Sequence, residues 1–86
     1  MKYNIITSSG FDRRFKELNK NNRTNILIWI QTHLIYEDNP FKVANILSVA
    51  RGVFVQFRIG NFRLIGRIEN NEILLLDITE GLLRRL

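Results

Sequence analysis

Hydrophobic and polar positions along this chain fall into two rhythms, a helical one in the first half and a strand-like one in the second. Lys2 to Thr7 (KYNIIT) reads as a short opening strand. From about Gly10 to Asn19, Phe11, Phe15 and Leu18 recur at i, i+4 and i+7, the spacing of one helix face. Ser9 with Asp12 imitates a capping box with a shortened acid. The run Asn19 to Asn22 (NKNN) breaks this helix, and a second fits Asn22 or Arg23 to about Tyr36. Its broad apolar flank holds Ile26, Trp29, Ile30, His33 and Tyr36, widened by Leu27, Leu34 and Ile35. Two helices joined by a few polar residues form an antiparallel hairpin. Glu37-Asp38-Asn39-Pro40 stops the second, because a residue before proline avoids helical geometry.

Phe41 to Ala50 has no clear period. Val43, Ile46 and Leu47 fit either a turn of helix or an irregular packed segment. Beyond Arg51 the rhythm sharpens into strands at Gly52 to Ile59, Phe62 to Glu69 and Glu72 to Ile78. Gly60-Asn61 and Asn70-Asn71 connect them, both rich in residues that tolerate positive φ. Loops this short impose an antiparallel meander. The expected order is β-α-α-β-β-β: an α+β fold, residues 1–86 as one domain, with a helical hairpin on one face of an antiparallel sheet. Thr79 to Leu86 is a short basic tail, either a stub of helix or a free end.

Composition narrows the function classes. The chain has 86 residues, 45% of them hydrophobic, enough for one modest core. With no cysteine, disulfides and thiolate metal sites are excluded, and with His33 the only histidine a histidine-rich metal site is excluded too. No signal-peptide core or membrane-length apolar run is present, so a soluble, cytoplasmic protein is expected, without membrane contact. Patterns for phosphate-binding loops, dinucleotide folds, zinc spacings and serine triads are absent, and no cofactor is implied. The net charge is +5, carried by nine arginines against four lysines. Guanidinium is the preferred reader of phosphates and carboxylates, so a polyanionic partner is expected.

The stretch VQFRIGNFRLIGRI, Val55 to Ile68, is the most informative. With Gly60-Asn61 as a two-residue loop, Ile59 faces Phe62, Arg58 faces Arg63 and Phe54 faces Arg67. Phe57, Ile59, Phe62 and Leu64 then turn towards the helices. Phe54, Gln56, Arg58, Arg63 and Arg67 share the open face. Like charges directly opposed on a sheet cost up to about 1 kcal/mol. Two explanations stay open at this stage. An anion such as phosphate sits between the guanidiniums, or each arginine pairs with Glu37, Asp38, Glu69 or Asp77 or points into solvent. Shifting the loop by one residue would also separate the pair.

Ala50 to Ile78, ARGVFVQFRIGNFRLIGRIENNEILLLDI, resembles the core of RelE/ParE-type toxins of bacterial toxin–antitoxin pairs. Those proteins show a strand ending in Tyr/Phe-Arg-(Ile/Val)-Gly, an Asx, then an aromatic-Arg-(Leu/Val)-Ile strand, and FRIGNFRLI (Phe57 to Ile65) is similar almost residue for residue. FDRRFKEL (Phe11 to Leu18), opening a helical hairpin, agrees more loosely. The resemblance implies a toxin neutralised by a cognate antitoxin. In RelE-like members it further implies cleavage of mRNA on the ribosome, without metal or cofactor, by attack of a ribose 2′-OH on the adjacent phosphate. ParE-like members instead inhibit DNA gyrase.

By the same resemblance Arg63 and Arg58 stabilise charge on the phosphate. Arg67, Phe54 and Gln56 on the open face, and Arg84 and Arg85 in the tail, are further candidates for holding RNA. The chain departs from the pattern in DITEGLLRRL. Many members follow the last strand with Gly-His-Arg or Gly-Lys-Arg; here Glu80 and Gly81 fall where the His or Lys and the Arg would sit, and no tyrosine follows. Glu80 is therefore a candidate general base as well as an ordinary strand-end residue. A chain of this fold that acts only by binding, with its catalytic tail lost, is the alternative from a different functional class.

Overall fold

The computed structural model describes residues 3–81. Its sheet is five-stranded, in the order β1-β5-β4-β3-β2, with β1 Asn4–Thr7, β2 Ala44–Ala50, β3 Gly52–Ile59, β4 Phe62–Glu69 and β5 Glu72–Glu80. Helices α1 (Ser9–Lys16) and α2 (Lys20–Ile30) lie between β1 and β2 in sequence. The fold is α+β, with both helices on one face of a mostly antiparallel sheet.

Two features differ from the sequence expectation. Ala44 to Ala50, which showed no period, is a strand, so the order is β-α-α-β-β-β-β. Its alternation is hidden because Leu47 interrupts the register between Ile46 and Ser48. Its apolar side chains also stay outside, with Ile46 61% and Val49 71% exposed, so no inward stripe marks it. The second difference is that β1 pairs with β5 in parallel, which makes the sheet mixed.

Helix boundaries shift by a few residues. The cap of α1 is Ser8 rather than Ser9: its Oγ accepts from the Phe11 amide at 3.0 Å and donates to the Leu76 carbonyl at 2.9 Å. One hydroxyl thus starts the helix and ties it to β5. Asn19 caps α2 through its Oδ1, accepting from the Asn22 amide at 2.9 Å. Arg23 donates to the carbonyls of Leu18 and Lys16, satisfying groups that the end of α1 leaves open. After Ile30 the second helix widens into a π-helical turn, Gln31–Ile35.

The core lies between the layers. Phe11, Ile26, Ile30 and Leu34 meet Val55, Phe57, Phe62, Leu64, Ile68, Ile73, Leu75 and Ile78, and no described polar or charged residue is buried. Trp29 lies 5.7 Å from Phe57 and 4.8 Å from His33, ring centre to ring centre. His33 is therefore a packed groove histidine. Among the described residues no helix is long and apolar enough to cross a membrane.

The turn into β3 depends on Gly52, where φ is +87° and an added Cβ would meet the Ile68 carbonyl oxygen at 3.1 Å and the Glu69 Cβ at 3.1 Å. Gly52→Ala is expected to cost about 1–3 kcal/mol, because left-handed backbone and a close approach penalise the same methyl. A urea melt would register this as a lower midpoint with unchanged slope. An unchanged midpoint would mean that the β2–β3 hairpin has a different geometry.

Candidate functional site

The register of β3 against β4 decides how the arginines meet. Ile59 stands opposite Phe62, Arg58 opposite Arg63, and Phe54 opposite Arg67, as the two-residue Gly60-Asn61 loop requires. Gly60 supplies the positive φ, +58°, for this turn. Val55, Phe57, Phe62 and Leu64 are buried on the helix side. Phe54, Gln56, Arg58, Arg63 and Arg67 alternate with them onto the other face, which no helix among the described residues covers.

The carboxylates offered as partners for these arginines are mostly engaged elsewhere. Asp77 Oδ1 lies 3.2 Å from Arg14 Nε and accepts from the Ile78 amide at 2.8 Å. Glu37 bonds Lys42 Nζ at 3.2 Å, and this hydrogen bond is the main cause holding its carboxyl below the usual carboxylate range. Glu69 takes Arg67, with Oε1 3.3 Å from Nη2. Neither Arg58 nor Arg63 forms an ion pair with a described residue.

Arg58 is exposed and Arg63 is half-buried. The Nε atoms of Arg63 and Arg67 are both shielded within the described chain and lack a hydrogen-bond partner. Such atoms are rare in folded proteins. Opposed side chains on neighbouring strands have Cβ atoms about 4.5–5.5 Å apart, a spacing at which two guanidiniums can grip one phosphate. The arrangement is therefore a cationic patch on neighbouring strands, with unspent donors at Arg63 and Arg67.

Other candidates scatter. Thr79, not Glu80, stands across from Arg63 on β5, while Glu80 stands across from Phe62 and so belongs to the helix side. Glu80 there lines a cavity of about 310 Å³ with Asn22, Asn25, Ile26, Ile59, Gly60, Asn61 and Phe62. Arg84 and Arg85 lie outside the described residues. Sequence reasoning missed this cavity because its walls come from α2, the Gly60-Asn61 turn and the end of β5, which share no period. A second cavity, about 360 Å³, lies beside Arg67 and Glu69, with Ile6, Asn70, Glu72 and Leu74.

Neither a protein-family model nor a curated protein sequence matches the chain. Solved structures do, and they show the fold: it is RelE-like. The chain is similar to the RelBE2 toxin–antitoxin complex from Mycobacterium tuberculosis with a TM-score of 0.78 at 19% identity, over 93% of this chain and 92% of that one. The archaeal RelE–RelB complex from Pyrococcus horikoshii follows at 0.73 and 18%, over 93% and 96%. The RelBE complex of Escherichia coli matches at 0.62 and 9%, over 95% and 99%. At such identities the likeness establishes the fold, and the chemistry must be argued from this chain's own side chains.

Proposed function

We propose that this chain is the toxin of a toxin–antitoxin pair and cuts mRNA on the ribosome, in the cytoplasm, until a cognate antitoxin covers it. The observation that carries the reading is the opposed Arg58–Arg63 pair, free of described carboxylates on the uncovered face of a RelE-like sheet. Two cations on directly opposed strand positions can both reach one phosphate and stabilise charge that develops on it as a ribose 2′-OH attacks. Because the strands hold them in place beforehand, little reorganisation is needed at the moment of reaction. Arg67 and Phe54 extend the face, one as a further cation and the other as a surface for stacking a base. The solved structures of similar fold are complexes with an antitoxin, which supports a partner of that kind here.

Inducible expression in a bacterial host, with protein and DNA synthesis followed separately, tests the reading. Translation is expected to stop first, with new 5′ ends mapping inside ribosome-bound messages. Continued translation with arrested replication would replace the ribosome by DNA gyrase as the target. A second reading is favoured by one specific observation: Glu80 stands on the opposite side of the sheet from the arginine pair. A RelE-fold protein that only binds an antitoxin or a nucleic-acid machine needs no acid or base at that pair. Under that reading expression leaves messages uncut.

A further inference from the structure

The cavity behind the arginine face has a chemistry of its own. Its floor is apolar: Ile26 is wholly buried and Phe62 only 7% exposed, with Ile59 beside them. Its rim carries the Glu80 carboxylate and the side-chain amides of Asn22, Asn25 and Asn61. None of these four side chains makes a hydrogen bond or ion pair with a described residue. The backbone N–H of Asn22 donates to the Asn19 cap of α2, which leaves its side-chain amide uninvolved. A volume of about 310 Å³ is at the small end for ligand sites, suited to one flat ring system rather than a whole nucleotide.

We propose that this cavity is a guanine-recognition pocket, taking one unstacked base of the RNA whose phosphate rests on Arg58 and Arg63. The assignment rests on the ribonuclease reading for its choice of ligand. Its argument is the donor and acceptor pattern. A carboxylate presents two acceptors side by side, and guanine is the common base whose Watson–Crick edge presents two adjacent donors, N1–H and N2–H. Adenine and cytosine place a ring-nitrogen acceptor beside their amino group, which would repel the second oxygen of Glu80. Uracil flanks its single N–H with carbonyls. The asparagine amides then supply donors for guanine O6 and N7, and the Phe62–Ile26–Ile59 floor takes the ring. Proteins that read single-stranded RNA commonly combine these elements, stacking a splayed base and bonding its edge.

Position supports the same reading. Ile59 and Phe62 face each other next to the turn, and Arg58 and Arg63 are the next pair along the same two strands, pointing to the other face. One strand residue advances about 3.3 Å. The Gly60-Asn61 turn is thus a narrow edge with cations on one side and the amide-lined cavity on the other. At Gly60 an added Cβ would meet nothing within 4 Å, so the edge is open to an approaching strand.

The test uses the full 86-residue chain, labelled with ¹⁵N, titrated with GMP, AMP, CMP and UMP. Side-chain amide signals of Asn22, Asn25 and Asn61 are expected to shift with GMP at concentrations at least about tenfold below those needed for the other three. Glu80→Gln is expected to weaken GMP by at least about tenfold, the loss expected for a hydrogen bond to a charged group. It should also improve AMP, because an amide offers one donor and one acceptor to the adenine edge. Equal response to all four nucleotides, or none, overturns the pocket, as does a response confined to two cationic probes titrated in parallel, Nα-acetyl-lysine amide and arginine methyl ester. That last result would mark a socket for a protein partner's cation. Translation arrest without GMP binding refutes the pocket alone, whereas GMP binding without arrest supports the pocket and refutes the ribonuclease.

Discussion

Arg63→Ala is expected to lower mRNA cleavage by about 10²–10³-fold, the loss measured when one preorganised donor is removed from a site of developing negative charge. The same substitution should leave stability unchanged or raise it by up to about 1 kcal/mol, because it dissolves a directly opposed like-charge pair. That combination is diagnostic. A surface arginine with no role would leave both quantities alone, and a structural arginine would lower both. The checks are cleavage mapped on ribosomes programmed with a defined message, and a urea melt of the same preparation. Binding to RNA should also lose about one unit of its salt-dependence slope, as expected for one phosphate contact. Undiminished cutting by Arg63→Ala would sink the proposed site.

The largest loss of stability is expected at Phe57. Its side chain is fully buried, its ring lies 5.7 Å from Trp29, and its Cε2 lies 3.6 Å from where a Cβ on Gly66 would stand. Phe57→Ala should cost about 3–5 kcal/mol, through lost burial and the cavity left between α2 and the sheet. Domains commonly have only about 5–15 kcal/mol in total, so the variant stands near its folding threshold. Denaturant midpoints and thermal melts measure this directly. Phe54→Ala, three residues earlier on the uncovered face, is the control and should lose far less. Equal losses at both positions would mean that the sheet has two covered faces, contrary to the placement of the site.

Much of this was legible because local rules act over short distances. Alternation in Gly52 to Ile59 and Phe62 to Glu69, joined through Gly60-Asn61, leaves one register that buries Phe57, Phe62 and Leu64 together. That register sets Arg58 against Arg63 with no information from the rest of the chain. The helical spacing of Phe11 and Phe15 was equally readable, whereas Leu18 lies past the end of α1 at Lys16, although it too packs against the core. The strand Ala44 to Ala50 was not readable. An edge strand bonds a neighbour on one side only, and an irregularity at Leu47 breaks its period of two. The parallel pairing of β1 with β5 had no local signal either, since the whole helical hairpin and three strands separate them in sequence.

Sequence alone thus determined which residues share the cationic face, because a hairpin of fixed loop length admits one alternation. The tertiary structure decided which partners they have. Asp77 goes to Arg14 on α1, Glu37 to Lys42 and Glu69 to Arg67, leaving Arg58 and Arg63 without a described carboxylate. It also decided the fate of Glu80. Strand β5 carries one extra residue at Leu76, where Ile65 pairs with Asp77 but Gly66 pairs with Leu75. Ser8 bonds the carbonyls of both Leu75 and Leu76 beside this bulge. Without it, the alternation that buries Ile73 and Leu75 would have placed Thr79 inward and Glu80 beside the arginines. With it, Ile78 is buried and Glu80 follows onto the helix side, at the rim of the asparagine-lined cavity. A single inserted residue exchanges the two faces of everything after it, and only the packing of β5 against β4 and α1 reveals where that insertion falls.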